Sequence, residues 1–339
     1  MPPDSPLTPN LPNRPRGRVL LLGATGTIGR ATHQALRDAG YPVVCLARPT
    51  SARDEAATRR LLDTDDLCFV PLDDARALMY ALETKGPFTT VMSCLASRTG
   101  VPEDAWRVDY RAHLQVLEVA QALGISQMIL LSALCVQKPS LAFQHAKLAF
   151  EAALAASGLD YTIVRPTAFF KSLSGQIERV RAGKPFLVFG DGTLTACKPI
   201  SDRDLAQFLV HCLENPACNR RILPIGGPGP ALTPRDQGEI LAGLLGREPR
   251  FRQVNPNLLR GIAAALRIAA KLVPRLARYA ELARIGHYYA TESMLVWDAQ
   301  RGCYDAEATP TTGSDTLYAH YQSLLAGLSQ DDRGDHAVF

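Results

Sequence analysis

The sequence predicts an α/β fold: a doubly wound parallel sheet with a smaller, mixed C-terminal region that faces a substrate. Three observations carry that prediction. From Arg18 to Pro166, short apolar runs alternate with helical stretches of about 10 to 20 residues, the rhythm of repeated βαβ units. A glycine-rich turn joins the first apolar run to the first helix. Beyond Pro166 the alternation gives way to dense glycine and proline, at Gly183, Pro185, Gly190, Gly192, Pro199 and the Gly226–Pro230 run.

Taken in order, the run after Arg18, Val-Leu-Leu-Leu, fits a strand buried on both faces. Thr27 to Ala39 reads as the first helix, stopped by Gly40 as a C-cap glycine stops one. Val43–Ala47 is the second strand, and the charged stretch Arg53 to Thr64 the second helix. Leu67–Pro71 (strand), Asp74–Lys85 (helix), Thr89–Leu95 (strand) and Asp104–Leu123 (long helix) follow. Met128–Ser132 is the fifth strand, Phe143–Ser157 a helix and Tyr161–Arg165 the sixth strand. Right-handed crossovers set the carboxyl ends of all these strands along one edge, where ligands bind. The division expected is a disordered, proline-rich leader over 1–17, a dinucleotide domain over 18–166, and a substrate-binding region over 167–339 interwoven with the end of that domain.

At 339 residues, 47% hydrophobic and 21% charged, the chain is an ordinary folded protein that needs no disulfide or metal to hold it together. A net charge of +4 is too small to argue for nucleic acid. The eight cysteines form no C-x-x-C pair and sit mostly in apolar runs, which points to buried free thiols and to no metal site. No uncharged apolar run approaches the roughly 18 residues of a membrane span, so a soluble, cytoplasmic protein is expected.

The chemistry starts at Gly23-Ala24-Thr25-Gly26-Thr27-Ile28-Gly29. Gly23 permits the tight turn, Gly26 lets backbone approach a pyrophosphate, and Gly29 lets the helix pack on the sheet. The helix N-terminus offers N–H groups and partial positive charge to the phosphates, which makes the fold Rossmann-type. An NAD site usually carries an acid at the tip of the second strand; here that strand ends at Arg48, with Arg53 nearby. A guanidinium there suits a 2′-phosphate, so the expected cofactor is NADPH. Asp73, Ser93, Leu95 and Pro166, at or near the ends of later strands, complete the candidate cofactor set.

Ser132 ends the fifth strand, and Phe143-Gln-His-Ala-Lys147 opens the next helix. Here the sequence resembles the short-chain dehydrogenase/reductase superfamily, whose members place a serine and a Tyr-x-x-x-Lys at these points. The resemblance implies that Lys147 holds the nicotinamide ribose, with Lys147, Phe143 and Ser132 the catalytic positions. Phenylalanine at the tyrosine position has no proton to give, which puts ordinary carbonyl reduction in doubt. The plain alternative for Lys147 is an ion pair with Glu151, four residues on. Lys147-x-x-x-Glu151 with Ser157–Pro166 also resembles the NmrA-like group, some of which reduce C=C bonds and some of which only sense the cofactor.

Beyond the sixth strand the tracts Arg165–Leu173, Gly183–Gly192, Cys197–Asp204, Ile225–Pro228, Ala283–Leu295 and Thr312–Leu317 resemble the NADPH-dependent divinyl chlorophyllide 8-vinyl reductases of phototrophs. That implies hydride transfer to a vinyl group of a tetrapyrrole, with a proton added at the other carbon, as a step of chlorophyll or bacteriochlorophyll synthesis. Conjugation lets the macrocycle delocalise the developing charge, so no strong acid is required at Phe143. Water, Lys147, His145 and the Tyr288-Tyr289 pair stand as candidate proton donors. Phe169, Phe170, Phe186, Phe189 and Tyr288 are candidates for a flat macrocycle slot, against the plain reading that aromatic residues fill core. The basic segment 258–284 reads either as a surface helix contacting anionic lipid or the pigment propionate, or as an ordinary covering helix with a solvated cationic face. A cofactor-sensing regulator without turnover is the alternative to a reductase.

Overall fold

The computed structural model describes residues 16–49 and 54–328; residues 1–15 of the expected leader and the candidate Arg53 lie outside them. Val19–Leu22 (β1), Val43–Ala47 (β2), Leu67–Phe69 (β3), Thr90–Ser93 (β4), Gln127–Leu131 (β5) and Asp160–Pro166 (β6) form where the apolar runs predict them. Phe186–Phe189 (β7) comes next, then Arg221–Ile225 (β8), which returns to the main sheet. The sheet has seven strands in the order β3-β2-β1-β4-β5-β6-β8, every neighbour parallel. The main sheet therefore takes a strand from beyond Pro166. Phe251–Val254 (β9) pairs with β7 in a small parallel sheet, and Val296–Asp298 (β10) with Cys303–Asp305 (β11) in a hairpin.

Strand alternation splits the apolar side chains of β1 between two cores. Leu20 and Leu22 face the helices Ala75–Lys85, His113–Ala122 and Ala142–Ala156, packing with Leu78, Leu82, Val116, Phe150 and Leu154. Val19 and Leu21 face the helices Thr27–Asp38 and Asp202–Glu214, with Leu36, Leu205 and Leu209. Each such fully buried side chain contributes about 1.5–3 kcal/mol relative to exposure. The second of those helices comes from beyond Pro166, so both the sheet and its covering layer draw on the C-terminal half.

Three of the sequence tracts beyond β6 meet at one joint. Ser201 caps the helix Asp202–Glu214 by accepting from the Asp204 N–H, and its hydroxyl donates to Asp315 at 2.7 Å. Asp204 accepts from the N–H groups of Ser314 and Asp315. Gly313 holds φ +82° beside it, where an added Cβ would lie 2.1 Å from the Asp204 carboxylate. The Gly226 N–H donates to Pro310 O just past β8.

The helix expected over Asp104–Leu123 is three consecutive pieces: α from Pro102 to Ala105, π from Trp106 to Ala112, and α again from His113. The wider π turn is a bulge of the kind often found at functional sites, and it carries Asp109 inward. All eight cysteines are unpaired, and burial pushes the Cys45 thiol up to about 12. Among the described residues no helix is long and apolar enough to cross a membrane.

Candidate functional site

Because every strand of the main sheet points the same way, the loops after β1, β2, β3, β4, β5 and β6 share one edge, and the strand order reverses between β1 and β4. Such a reversal opens the crevice in which dinucleotides bind. The glycine turn lies there. Gly23 holds φ +72°, and an added Cβ would meet the Cys94 carbonyl carbon at 2.5 Å, so backbone from two strand ends touches at this point. Gly29 packs against Gly23 O, where a Cβ would fall at 2.0 Å. A Cβ added at Gly26 would meet only Gly23 O, at 3.4 Å, and the residue is exposed. The helix starting at Thr27 has no side-chain cap and no acid in its first turn, which leaves its N–H groups to a ligand. Thr25, Thr27 and Ile28 are half-buried along the turn.

Lys171, which sequence reasoning missed, reaches this turn from the short helix Phe170–Leu173 after β6. Its Nζ donates to Thr27 Oγ1 at 2.9 Å. The signal was present as a lysine two residues after an aromatic strand exit, but nothing in the spacing ties position 171 to position 27. Arg48 sits half-buried at the end of β2, its guanidinium held below its usual range by burial and by its neighbours Arg107 and Arg98, with Asp104 and Asp73 opposing them. N–H groups, an ammonium and a guanidinium make a donor set that fits a phosphorylated dinucleotide. Asp73 is exposed after β3, Leu95 half-buried after β4, and Pro166 buried at the end of β6.

Ser93 is corrected. Its side chain is fully buried and turned into the protein, bonded to His113 Nε2 at 2.8 Å. His113 Nδ1 lies 2.9 Å from Val108 O, which can only accept, so Nδ1 carries the proton and Ser93 donates to Nε2. The Leu95 N–H donates back to Ser93 Oγ, so the serine shapes the loop from behind. Burial lowers the His113 pKa from 6.5 to about 4. A depressed folded value means that the unfolded chain binds the proton better between those two values. His113 therefore contributes stability above about pH 6.5 that is lost as pH falls towards 4, about 3 kcal/mol in all. Urea unfolding at neutral and acid pH should show a smaller acid loss in His113→Gln than in the parent. Identical losses would mean that another group titrates.

Lys147 is corrected in its partner. Its Nζ pairs with Asp109 at 3.0 Å, with the Asp109 side chain wholly buried, and Asp109 also accepts from Ser97 N–H and Ser97 Oγ. Glu151 turns the other way, to Arg165 of β6 and to the Ser132 hydroxyl, which donates to it. Ser132 is thus committed to a buried ion pair between helix and strand rather than free to donate to a ligand. Phe143, one helical turn before Lys147, is buried against Ile285 and the Gly100 loop. His145 is exposed on the opposite helix face, away from Phe143 and Lys147.

Of the five aromatic candidates for the slot, two fill core. Phe170 and Phe186 are buried in the cluster between the small sheet and the C-terminal helix, Phe186 against Phe251 and Phe170 against His320. Tyr288 is buried and donates to Cys135 O at 2.9 Å, and burial pushes its phenol up. Phe169 and Phe189 are half-buried. Tyr288 also lines a cavity of about 460 Å³, walled by Leu141 and Ala263 with Lys138, Arg260, Arg284 and Glu292 around it. Lys138 is anchored by Glu292 at 2.6 Å and lies over the Trp297 ring. Gln137 bonds the backbone of Leu295 and Trp297. The C-terminal region thereby grips the loop that follows β5.

Sheet order, glycine turn and uncapped helix define an NAD(P)H-binding α/β protein, and residues 23–216 match a family described as NAD(P)H-binding. The leucoanthocyanidin reductase–NADPH complex of Vitis vinifera superposes with a TM-score of 0.67 at 16% identity, over 91% of this chain and 100% of its own, a likeness of fold. The protein of Oryza sativa subsp. indica named divinyl chlorophyllide a 8-vinyl-reductase, chloroplastic, is 47% identical over 333 residues, spanning 95% of this chain and 82% of its own. Its Zea mays counterpart is 45% identical over the same shares. The chain belongs to the divinyl chlorophyllide a 8-vinyl-reductase family.

Proposed function

We propose that this protein reduces the 8-vinyl group of a divinyl chlorophyllide to ethyl with NADPH, as a step of chlorophyll synthesis. The observation that carries the reading is the 47% identity that runs past the cofactor turn and through the C-terminal region. A regulator that only sensed the cofactor would have no need to keep that second half.

Bound NADPH supplies the hydride. The Gly23–Gly29 turn and the open helix N-terminus receive the pyrophosphate, Lys171 adds its ammonium beside them, and Arg48 takes the 2′-phosphate. Asp109 holds the Lys147 ammonium in a fixed position at the ribose side. Phe143 forms an apolar wall and gives no proton; negative charge developing on the vinyl carbon next to the one that takes the hydride spreads into the macrocycle. The Tyr288 hydroxyl is engaged with Cys135 O, the Tyr289 hydroxyl lies against Cys135 Sγ and His145 points away, which favours Lys147 or water to protonate the second carbon. The cavity lined by Tyr288 sets Arg260 beside apolar walls, with Lys138 and Arg284 held by Glu292 and Glu281, and a pigment carboxylate would be met there by Arg260.

Anaerobic incubation with NADPH and divinyl chlorophyllide a, followed by chromatography, tests the reaction: the 8-ethyl pigment should form, and NADPH should be consumed only when pigment is present. NADPH binding without conversion would favour the sensor. The two cationic roles separate by cofactor. Arg48→Ala should weaken NADPH binding by about 1.5–3 kcal/mol and leave NADH nearly unchanged. Lys171→Met should weaken both alike, by about 1–2 kcal/mol. Equal losses in Arg48→Ala would remove the 2′-phosphate assignment.

A further inference from the structure

We propose that the helical hairpin over 257–291 docks this protein on an anionic lipid surface. The first helix, Asn257–Ala269, packs on the second, Leu276–Thr291, and its less exposed positions Leu259, Ala263 and Leu266 recur at helical spacing. Ala263 is the one fully buried residue of the first helix. The rest of its surface, the connecting turn and the start of the second helix are open to solvent, and they are apolar to a degree unusual for a surface. Leu272 is 88% exposed and Ile268 67%, with Leu258, Ile262, Val273 and Tyr279 exposed beside them. Isolated exposed apolar residues need no explanation, but six within the one hairpin segment from Leu258 to Tyr279 do.

The charge of the same surface chooses the occupant. From Asn257 to Ala280 the chain carries Arg260, Arg267, Lys271, Arg275 and Arg278 and no acid at all, in a protein whose net charge is only +4. Cations interleaved with leucine and isoleucine, with a tyrosine at the margin, are the composition of a helix lying in the headgroup plane. No helix among the described residues is a candidate span, so the hairpin lies on the surface rather than crossing it. Arg260 and Ala263 also line the cavity beside Tyr288, so docking would bring that cavity close to the lipid. This last consequence rests on the reductase reading; the docking does not, and is measured without pigment.

The experiment is flotation of the full chain with vesicles of phosphatidylcholine alone and of phosphatidylcholine with about 30 mol% phosphatidylglycerol, at low and high salt. Anionic vesicles should bind at least about tenfold more protein than neutral ones, and salt should release it. The triple change Arg267→Gln, Lys271→Gln and Arg275→Gln should cost about a hundredfold, near fivefold for each cation. Ile268→Asp with Leu272→Asp should abolish binding. Both side chains are largely exposed, so circular dichroism and NADPH binding of the variants should match the parent. Equal binding to both vesicle types, or none to either, would overturn the proposal. So would a concentration-dependent dimer, in ultracentrifugation, that the double aspartate change dissolves while vesicles bind nothing; that result would assign the face to a second copy of the chain.

Discussion

Asp109→Ala should cost about 3–5 kcal/mol of stability and lower kcat about 10- to 100-fold with little change in NADPH affinity. Asp109 is buried in the π turn and is the carboxylate against which the Lys147 ammonium rests at 3.0 Å. Removing it leaves a lysine only 12% exposed without its counter-charge, and the uncompensated charge dominates the stability loss. The kinetic loss comes from Lys147 leaving its position, since a displacement of about 1 Å at a reacting centre costs about a hundredfold. A double change separates the two effects. Asp109→Ala with Lys147→Met should recover much of the stability, because no orphan charge remains, while activity stays low. Urea unfolding and steady-state kinetics on the three variants give the answer. A double mutant as unstable as the single one would show that Asp109 acts through Ser97 and loop packing instead of through Lys147.

The second large effect separates the glycines. Gly29→Ala places a methyl 2.0 Å from Gly23 O, backbone against backbone, so the turn itself must move. Both thermal stability and NADPH affinity should fall, the affinity by about a hundredfold, close to 3 kcal/mol. Gly26→Ala meets nothing closer than 3.4 Å inside the protein, so it should fold normally and yet bind NADPH poorly, because its methyl occupies the side from which pyrophosphate approaches. Melting curves and fluorescence titration with NADPH separate the pair. Undiminished binding in Gly26→Ala would place the pyrophosphate elsewhere.

Much of the fold was legible because buried strands and amphipathic helices write their period into local sequence. Val43–Ala47 matches its predicted bounds, and the first helix ends at Asp38, one residue before its predicted end at Ala39. The glycine turn was legible for the same reason, since its spacing is a local geometric requirement. What was not legible is contact across the sheet. Nothing local says that Lys147 pairs with Asp109, 38 residues earlier, rather than with Glu151 on its own helix, because the choice depends on a π turn that hydrophobic period does not reveal. Lys171 meeting Thr27 is the same case at longer range. Phe186 was misplaced because an aromatic ring at a strand end reads alike whether it lines a ligand or fills the space under a small sheet. The strand at Arg221–Ile225 was hidden by its own composition, with an arginine and Pro224 in a segment half open to solvent.

That strand has a consequence for how the protein is made. β8 completes the sheet, but about 55 residues separate it from β6, its partner. On a ribosome adding about 5–20 residues per second, β6 presents an unpaired backbone edge for some 3 to 11 seconds, at the flank of an otherwise finished parallel sheet. The nascent chain is then at its most adhesive, and a neighbouring strand from another copy can add to it. Once β8 is in place its proline and arginine blunt the new outer edge. A version ending at Pro166 would keep the glycine turn yet carry the open edge permanently, and would gather in inclusion bodies, whereas one extended through Ile225 and the following bridge to Thr311 would not.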